Sequence, residues 1–372
     1  MCSPGASVAS GCRLGIRHLI VELTNACNHR CSHCYGQGRL STRREERAPT
    51  LSRTAIREVV ARVHRDTSLE HVALSGGEPS LRDDLPGIVS DLTDDGLGVV
   101  VITNGSRLAS APLDRFPRGT VFGVTLFSSE ARTHNRMAGR ASFLEVMKGL
   151  SRLERSGHHL AVTIVVARAN AHELGRTIRL ALAAGAGAVL VNRVNLTRHT
   201  LPDANHLVPS ISMLREAMHQ ADDVAERYDA GIAVSVPMPP CLVDPDDFPH
   251  LQFCWCPRGS SDSYYAVGPQ GWLRPCNHSS RVLGDLLQKD FGDIVTSRRT
   301  RAFWATMPAA CQACTHPLAK HCLGGCPAAA DESLGTRRRM DPFIAAARGL
   351  FDRTNRVEKA QDLPARGCEM RP

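Results

Sequence analysis

Short apolar runs alternate along the chain with stretches in which apolar residues recur every three or four positions. The apolar runs predict buried strands, and the recurring pattern predicts amphipathic helices. The predicted strands lie at 18–24, 71–80 (which ends in a glycine-rich turn), 98–105, 120–128, 160–170 and 188–196. The predicted helices between them lie at 50–66, 85–97, 142–157 and 173–187. This alternation indicates parallel βαβ units in a barrel-like sheet, whose ligands bind at the carboxyl ends of the strands.

A change in composition divides the chain near residue 241. A helix predicted at 210–231 and a strand at 231–241 precede a segment rich in Cys, Pro and Gly. We therefore expect an N-terminal extension at 1–17, a barrel at 18–230, a Cys-rich domain at 231–350 and a tail at 351–372. The predicted fold class is α/β, with a partial (β/α)6, TIM-like barrel before the Cys-rich domain.

The composition favours a globular protein of the cytoplasm. Its residues are 42% apolar and 22% charged, which suits a large core. No long uncharged apolar run predicts a membrane span, and the first residues lack the apolar region of a secretory signal. The net charge of +8 reflects either a bias towards arginine or an anionic partner. Because basic residues are scattered and aromatic residues make up only 5%, nucleic acid is not expected as a partner.

The 14 cysteines are grouped in a way that predicts metal binding. Three of them, Cys27, Cys31 and Cys34, follow the first strand, and eight more lie between residues 241 and 326. In a reducing cytosol such groups usually hold metal. Three thiolates can hold three irons of a cubane cluster and leave the fourth iron open for a ligand. The alternative is a zinc site whose fourth ligand is His29 or His33.

The stretch "CNHRCSHC" at 27–34 resembles the cysteine signature of radical S-adenosylmethionine (SAM) enzymes. The "SGGEP" at 75–79 resembles that family's second motif, at the end of the second strand. The resemblance implies a [4Fe-4S] cluster whose open iron binds SAM, and a 5′-deoxyadenosyl radical that abstracts hydrogen from a substrate. By the same resemblance, the residues that contact SAM are His33, Tyr35, Gly76, Gly77, Glu78, Pro79, Asn104, Ser128 and Asn170. For Asn104, Ser128 and Asn170, and for His134 and Gly139 nearby, a purely structural role in the loops is the alternative.

The later cysteines resemble a SPASM extension, which carries auxiliary iron–sulfur clusters. One spacing departs from that pattern, because seven residues rather than five separate Cys314 from Cys322. The resemblance implies one auxiliary [4Fe-4S] cluster on Cys256, Cys276, Cys326 and either Cys254 or Cys241. It implies a second on Cys311, Cys314 and Cys322, which is closed by Cys368, left open or absent, so that one or two auxiliary clusters are expected.

A cysteine left over from these clusters has two alternative roles. A spare Cys241 or Cys254 could donate hydrogen to a substrate radical, as an epimerase requires, or could be an inert buried thiol. Cys2 and Cys12 are expected to take no part. Zinc remains the alternative metal for the whole Cys-rich segment.

The resemblance leaves the substrate open. Because only about 17 residues precede the first strand, no leader-peptide module is expected there. That favours a small molecule of an antibiotic-type pathway (a sugar, aminocyclitol or nucleoside), which is dehydrogenated or epimerised. Maturation of a ribosomally made peptide, by cross-linking or oxidative decarboxylation and with a separate recognition protein, is the alternative. A non-enzymatic iron–sulfur electron carrier or zinc scaffold is a further one.

Two partner predictions complete the analysis. An electron donor such as flavodoxin or ferredoxin is expected by resemblance. Arg136, Arg140 and Arg193 lie near predicted strand ends, where they could hold an anionic group or simply be solvated surface residues.

Overall fold

The computed structural model describes residues 13–36, 50–306 and 308–351. These residues form an 11-stranded sheet in the order β11-β10-β9-β1-β2-β3-β4-β5-β6-β7-β8. The strands from β9 through β1 to β8 run parallel, and β10 and β11 continue the β9 edge in antiparallel pairing. The strands are β1 His18–Glu22, β2 His71–Ser75, β3 Gly98–Thr103, β4 Val121–Thr125, β5 His159–Val166, β6 Ala188–Arg193, β7 Ile232–Val234, β8 Gln252–Phe253, β9 Tyr264–Val267, β10 Trp272–Arg274 and β11 Gly284–Asp285.

Helices follow the parallel strands, as the alternation of patterns predicts. They are α1 Arg53–Asp66, α2 Leu85–Asp94, α3 Ala131–Ala138, α4 Phe143–Ser156, α5 Leu174–Ala183, α6 Ala204–Leu207, α7 Ile211–Tyr228, α8 Phe291–Thr296, α9 Arg298–Trp304, α10 Ala309–Gln312, α11 Ala319–Cys322, α12 Pro327–Leu334 and α13 Pro342–Ala347. None of these helices, in the described part of the chain, has the length and apolar character needed to cross a bilayer.

The first helix illustrates how the sequence specifies these elements. Ser52 caps α1 by accepting a hydrogen bond from the backbone N–H of Ala55. Ile56, Val59, Val60 and Val63 of α1 recur at helical spacing and are buried in the core. In contrast, α3 was not predicted, because a polar residue, His134, occupies its buried face.

The sheet does not stop at the predicted boundary between residues 230 and 231. β7 pairs with β6, and β9 pairs with β1, so segments of the Cys-rich region extend both sides of the barrel sheet. The physical reason is that β1 and β6 would otherwise present unpaired backbone groups at exposed edges. The Cys-rich region is thus continuous with the barrel sheet.

A buried ion pair joins the end of β6 to the start of α13. Both side chains, Arg193 and Asp341, are fully buried. The Arg193 guanidinium also donates to the carbonyls of Pro237 (2.8 Å) and Val194 (3.1 Å). It lies 4.4 Å from the centre of the Phe343 ring. The pair therefore anchors the Cys-rich region to the carboxyl end of the barrel.

We predict that Arg193→Met lowers the free energy of unfolding by about 3–5 kcal/mol, because it leaves the Asp341 carboxylate buried without its cation. The shift of the urea midpoint, at unchanged slope, measures this loss. Arg57→Met is the matched control: Arg57 pairs with Asp95 at the surface, where an ion pair contributes little. Equal shifts for the two variants would contradict a structural role for the buried pair.

Candidate active site

A cavity of about 190 Å³ opens at the carboxyl ends of the barrel strands. Residues from the ends of β1, β2, β3, β4, β5 and β6 contribute to its wall. The wall contains the three predicted iron ligands, residues of the glycine-rich turn, polar side chains and one phenylalanine. The iron ligands are Cys27, Cys31 and Cys34, and the turn contributes Gly76, Gly77 and Glu78. The other side chains include Glu22, Asn25, His29, His33, Tyr35, Thr103, Asn104, Thr125, Phe127, Asn192, Arg193, Asn195 and His278. This position is the one expected for ligand binding in a parallel α/β barrel.

The three thiols after β1 face one another at the cavity wall. The charges of Cys27 and Cys34 both act on Cys31, whose pKa is raised first by burial and then by these neighbours. The backbone N–H of His29 donates to Cys27 Sγ at 3.4 Å. Such amide contacts stabilise a negatively charged sulfur. Burial raises the pKa of Cys27 and of Cys31, so binding of iron must release the protons of these two thiols.

The loop that carries the thiols rests directly on the glycine-rich turn after β2. The N–H of Gly77 donates to Thr24 O (2.7 Å), and the N–H of Glu78 donates to Ala26 O (2.8 Å). A Cβ at position 77 would lie 2.2 Å from Ala26 O, so only glycine fits there. The sequence analysis expects these glycines to contact SAM. In the structure they line the cavity and also admit the backbone of the cysteine loop.

Glu78 links this turn to the end of β3. Its buried carboxylate accepts hydrogen bonds from Ser80 N (3.0 Å), Thr103 Oγ1 (2.6 Å) and Asn104 N (2.7 Å). The Asn104 side chain in turn donates to Asn28 Oδ1 in the cysteine loop at 2.8 Å. The ends of β1, β2 and β3 are thus held together by one polar network. Glu78 and Asn104 both line the cavity.

Two histidines of the cysteine loop present unsatisfied nitrogens at the cavity. The described residues provide no hydrogen-bond partner for Nδ1 and Nε2 of His29 or for Nδ1 of His33, although all three atoms are buried. Burial lowers the pKa of each imidazole to about 4, so both are neutral at pH 7. Buried polar atoms without partners suit a site that a polar ligand completes.

The predicted contacts His33 and Tyr35 both line the cavity. The His33 ring meets Phe127 edge-on, with 4.8 Å between centroids. The Tyr35 hydroxyl accepts a hydrogen bond from Asn277 at 3.0 Å, and its ring contacts His278. Tyr35 therefore connects the cysteine loop to the turn after Cys276, a contact between distant segments that the sequence analysis did not predict.

Three of the predicted SAM contacts do not line the cavity: Pro79, Ser128 and Asn170. Pro79 begins a short 3₁₀ turn. The Ser128 hydroxyl donates to Glu173 Oε1 at 2.6 Å. Asn170 donates to the carbonyls of Phe127 (2.6 Å) and Val165 (2.9 Å), which ties β4 to β5. The polar side-chain atoms of Ser128 and Asn170 are thus engaged inside the protein, and contact of all three residues with SAM stays a prediction.

The three arginines that were proposed to hold an anionic group are either paired within the protein or exposed at its surface. Arg193 lines the cavity, but its guanidinium is occupied by Asp341 and backbone carbonyls. Arg140 pairs with Glu145 at 2.8 Å, and Arg136 is exposed on α3. The expectation that they bind an anion therefore gains no support.

Sequence reasoning missed several polar residues of the cavity wall, among them Asn192, Asn195 and His278. The signal for the first two is asparagine at the end of an otherwise apolar strand, in "VLVNRVNL". Asn195 Nδ2 lies 3.8 Å from Cys326 Sγ, so one side chain separates the cavity from that thiol. His278 gives no local signal, because only folding brings it to the barrel.

The eight later cysteines divide into two groups and one outlier. Cys256 and Cys276 lie within electrostatic range of buried Cys326, whose pKa burial raises to about 12. Cys311, Cys314 and Cys322 form the second group, and Cys241 lies with them. Cys254 is exposed, and burial alone raises its pKa, with no other thiol acting on it. Neither Cys241 nor Cys254 lines the cavity, so their predicted role as hydrogen donors gains no support. Cys2, Cys12 and Cys368 lie outside the described residues.

Backbone amides approach sulfurs in these groups too. The backbone N–H groups of Gly324 and Gly325 oppose the rise that burial causes in the pKa of Cys322, and the N–H of Arg258 does the same for the pKa of Cys256. Within the described ranges, no three His, Cys, Asp or Glu side chains converge as a single metal ion would require.

Comparisons with known sequences agree with this geometry. Residues 21–181 match the Radical SAM superfamily. The chain is 26% identical over 340 residues to the PqqA peptide cyclase of Methylocella silvestris. That alignment covers 87% of this chain and 86% of the cyclase. It is 27% identical over 356 residues to the PqqA peptide cyclase of Gluconobacter oxydans, and the alignment covers 92% of this chain and 93% of the cyclase.

Solved structures share the fold. SuiB of Streptococcus suis bound to precursor peptide SuiA superposes with a TM-score of 0.66 at 12% identity, covering 88% of this chain and 76% of that one. anSMEcpe with bound AdoMet and the Cp18Cys peptide superposes with a TM-score of 0.63 at 12% identity, covering 90% and 96%. These likenesses confirm the predicted α/β partial barrel with its Cys-rich C-terminal region.

We predict that Gly77→Ala detaches the cysteine loop from the turn, because the new Cβ overlaps Ala26 O. Overpacking of this kind costs about 1–3 kcal/mol. The reconstituted variant should lose iron bound by the first three cysteines, as quantified by iron analysis and electron paramagnetic resonance (EPR). Gly231→Ala is the matched control, since nothing lies within 4 Å of the Cβ at that position. Unchanged iron content in both variants would disprove the clamping role of Gly77.

Proposed function

This chain is a radical SAM enzyme with a C-terminal SPASM domain, and we propose that it matures a peptide by hydrogen abstraction. SAM and a [4Fe-4S] cluster are its cofactors. The observation that carries the proposal is the meeting of three cysteine thiols and the Gly-Gly-Glu turn at one cavity, in a chain aligned over most of its length with peptide cyclases.

The substrate class expected from the sequence was wrong. That expectation was a small natural-product molecule, and it rested on the few residues before the first strand. The relatives are named as cyclases of the peptide PqqA, and the structural neighbour SuiB binds the precursor peptide SuiA. These relatives support the alternative, which is peptide maturation. They give no support to a sugar, aminocyclitol or nucleoside as the substrate.

The residues of the cavity fit the cofactors that the family requires. Cys27, Cys31 and Cys34 would hold three irons, with the His29 amide supporting one of the sulfurs. Glu78 and the adjacent turn would face the amino group of SAM, and His33 and Tyr35 its adenine. When bound, these cofactors supply a 5′-deoxyadenosyl radical, which takes a hydrogen atom from the substrate.

The chain's own residues also keep this chemistry away from water. Phe127 and His33 pack edge to face on the cavity wall, and both are buried. The neutral His29 and His33 rings add no cation to the site at pH 7. Buried, uncharged rings in this part of the wall limit the access of water to a reactive radical.

We propose that the peptide radical is oxidised rather than quenched by a cysteine. Removing one electron from it requires an acceptor near the cavity. The thiol of Cys326, in the first auxiliary group, lies 3.8 Å from Asn195 Nδ2, and Asn195 lines the cavity. Cys256, Cys276 and Cys326 would hold a cluster that could supply this acceptor.

The reconstituted protein is expected to convert SAM to 5′-deoxyadenosine under anaerobic conditions with dithionite as reductant. Replacing Cys27, Cys31 or Cys34 by Ala should abolish the product, because each removes a ligand of the cluster that holds SAM. Liquid chromatography with mass detection measures the amount of 5′-deoxyadenosine formed. Cys254→Ala, which changes an exposed thiol outside the cavity, should leave the rate unchanged. Product formation that persists without the three thiols would refute the assignment.

Co-expression with each short peptide encoded near the gene tests the substrate. We expect one peptide to lose two hydrogens or a carboxyl group, seen as a mass decrease and located by fragmentation. The triple alanine variant at the three barrel cysteines is the control and should leave the peptide intact. Turnover in deuterated water distinguishes the alternative, since deuterium on an otherwise unchanged peptide would indicate epimerisation instead of oxidation.

A further inference from the structure

We propose that Cys241 is the fourth thiolate of the second auxiliary cluster, together with Cys311, Cys314 and Cys322. The proposal rests on the iron–sulfur function proposed above and assigns a ligand within it. It differs from the sequence-based expectation, in which Cys241 was either a ligand of the first cluster or a spare thiol.

The four thiols form one electrostatic group although they come from segments far apart in sequence. Cys241, Cys314 and Cys322 all act on Cys311, and Cys314 and Cys322 act on Cys241. Cys241 is partly buried and packs against the main core. Four thiolates are the set that a closed cubane cluster takes from a protein.

An independent contact holds the two segments together. Asp244, three residues after Cys241, lies 3.4 Å from His316, two residues after Cys314. The loop of Cys241 is itself fixed, because the N–H groups of Leu242 and Val243 both donate to Pro239 O. Both backbone segments are therefore positioned beside each other by contacts that do not involve sulfur.

Positive charge accompanies the group, as four thiolates require. Arg348 acts on Cys241, and Arg258 lies within electrostatic range of Cys311, Cys322, Cys256 and Cys326. Arg258 is held between the two groups by its hydrogen bond to Leu323 O at 2.7 Å. Its Nε is buried and has no hydrogen-bond partner among the described residues. A cation so placed would offset the charge of both clusters.

The competing thiol, Cys254, is positioned differently. It is exposed, its N–H pairs with Val234 O beside the sheet, and the titratable groups acting on its pKa include no cysteine. It therefore serves as a matched control for Cys241, since both are thiols of the same region and both lie outside the cavity.

The first test compares Cys241→Ala, Cys254→Ala and Cys368→Ala after anaerobic reconstitution. Cys241→Ala should lose up to roughly four iron atoms per chain, or show a changed auxiliary-cluster EPR signal. Cys368→Ala should match the unaltered protein, and Cys254→Ala should leave the EPR signal of the second auxiliary cluster unchanged. Loss of iron in Cys368→Ala, with Cys241→Ala unaffected, would overturn the proposal.

The second test needs no substitution and so does not depend on a variant that folds. The loaded protein is alkylated with iodoacetamide, digested and analysed by mass spectrometry, before and after the iron is chelated. Cys241 should be protected together with Cys311, Cys314 and Cys322, and should become reactive with them when iron is removed. Reaction of Cys241 in the loaded protein at the rate of Cys254 would contradict the assignment.

The two levels of hypothesis remain distinguishable. If Cys241 is not a ligand but 5′-deoxyadenosine still forms, only the ligand assignment fails. If no SAM is cleaved while bound iron still protects the four thiols from alkylation, the enzymatic proposal fails and the ligand assignment stands.

Discussion

The fully buried pair of Arg193 and Asp341 is the interaction on which the arrangement of sites depends. Arg193 reaches the cavity from the end of β6, while Asp341 also accepts the N–H of Cys326 at 2.9 Å. An uncompensated charge at this depth would be costly, so each partner holds the other in place. The barrel cavity and the auxiliary thiols are consequently parts of one rigid junction and not two independently placed centres.

A second constraint acts inside the barrel, where the cysteine loop has little freedom of its own. It is held by the glycine turn below it, by Asn104 beside it and by hydrogen bonds from Arg30 and Ser32 to the end of α3. These contacts come from the ends of β2 and β3 and from the end of α3, so the three thiols take their positions from the barrel. Preorganisation of this kind is what a site with one open metal position requires.

Some polar groups at the cavity have no hydrogen-bond partner among the described residues, and these are available to a ligand. Most predicted polar residues at the strand ends, such as Ser128 and Asn170, satisfy one another and build the loops. A minority, including His29, His33 and Asn195, keep atoms without partners in the described structure, and these line the cavity. Glu78 and Asn104 also line the cavity, although both make hydrogen bonds within the protein.

The sequence by itself determined the six main strands of the barrel and most of its helices, the location of its site and the two groups of cysteines. These features depend on local periodicity and spacing, which are properties of neighbouring residues. Only the tertiary structure decided that β7 and β9 extend the barrel sheet, that Arg193 is buried and that Cys241 joins cysteines about 70 residues away. Such pairings arise from long-range packing, because edge strands, buried charges and thiols find their partners only when distant segments of the chain meet.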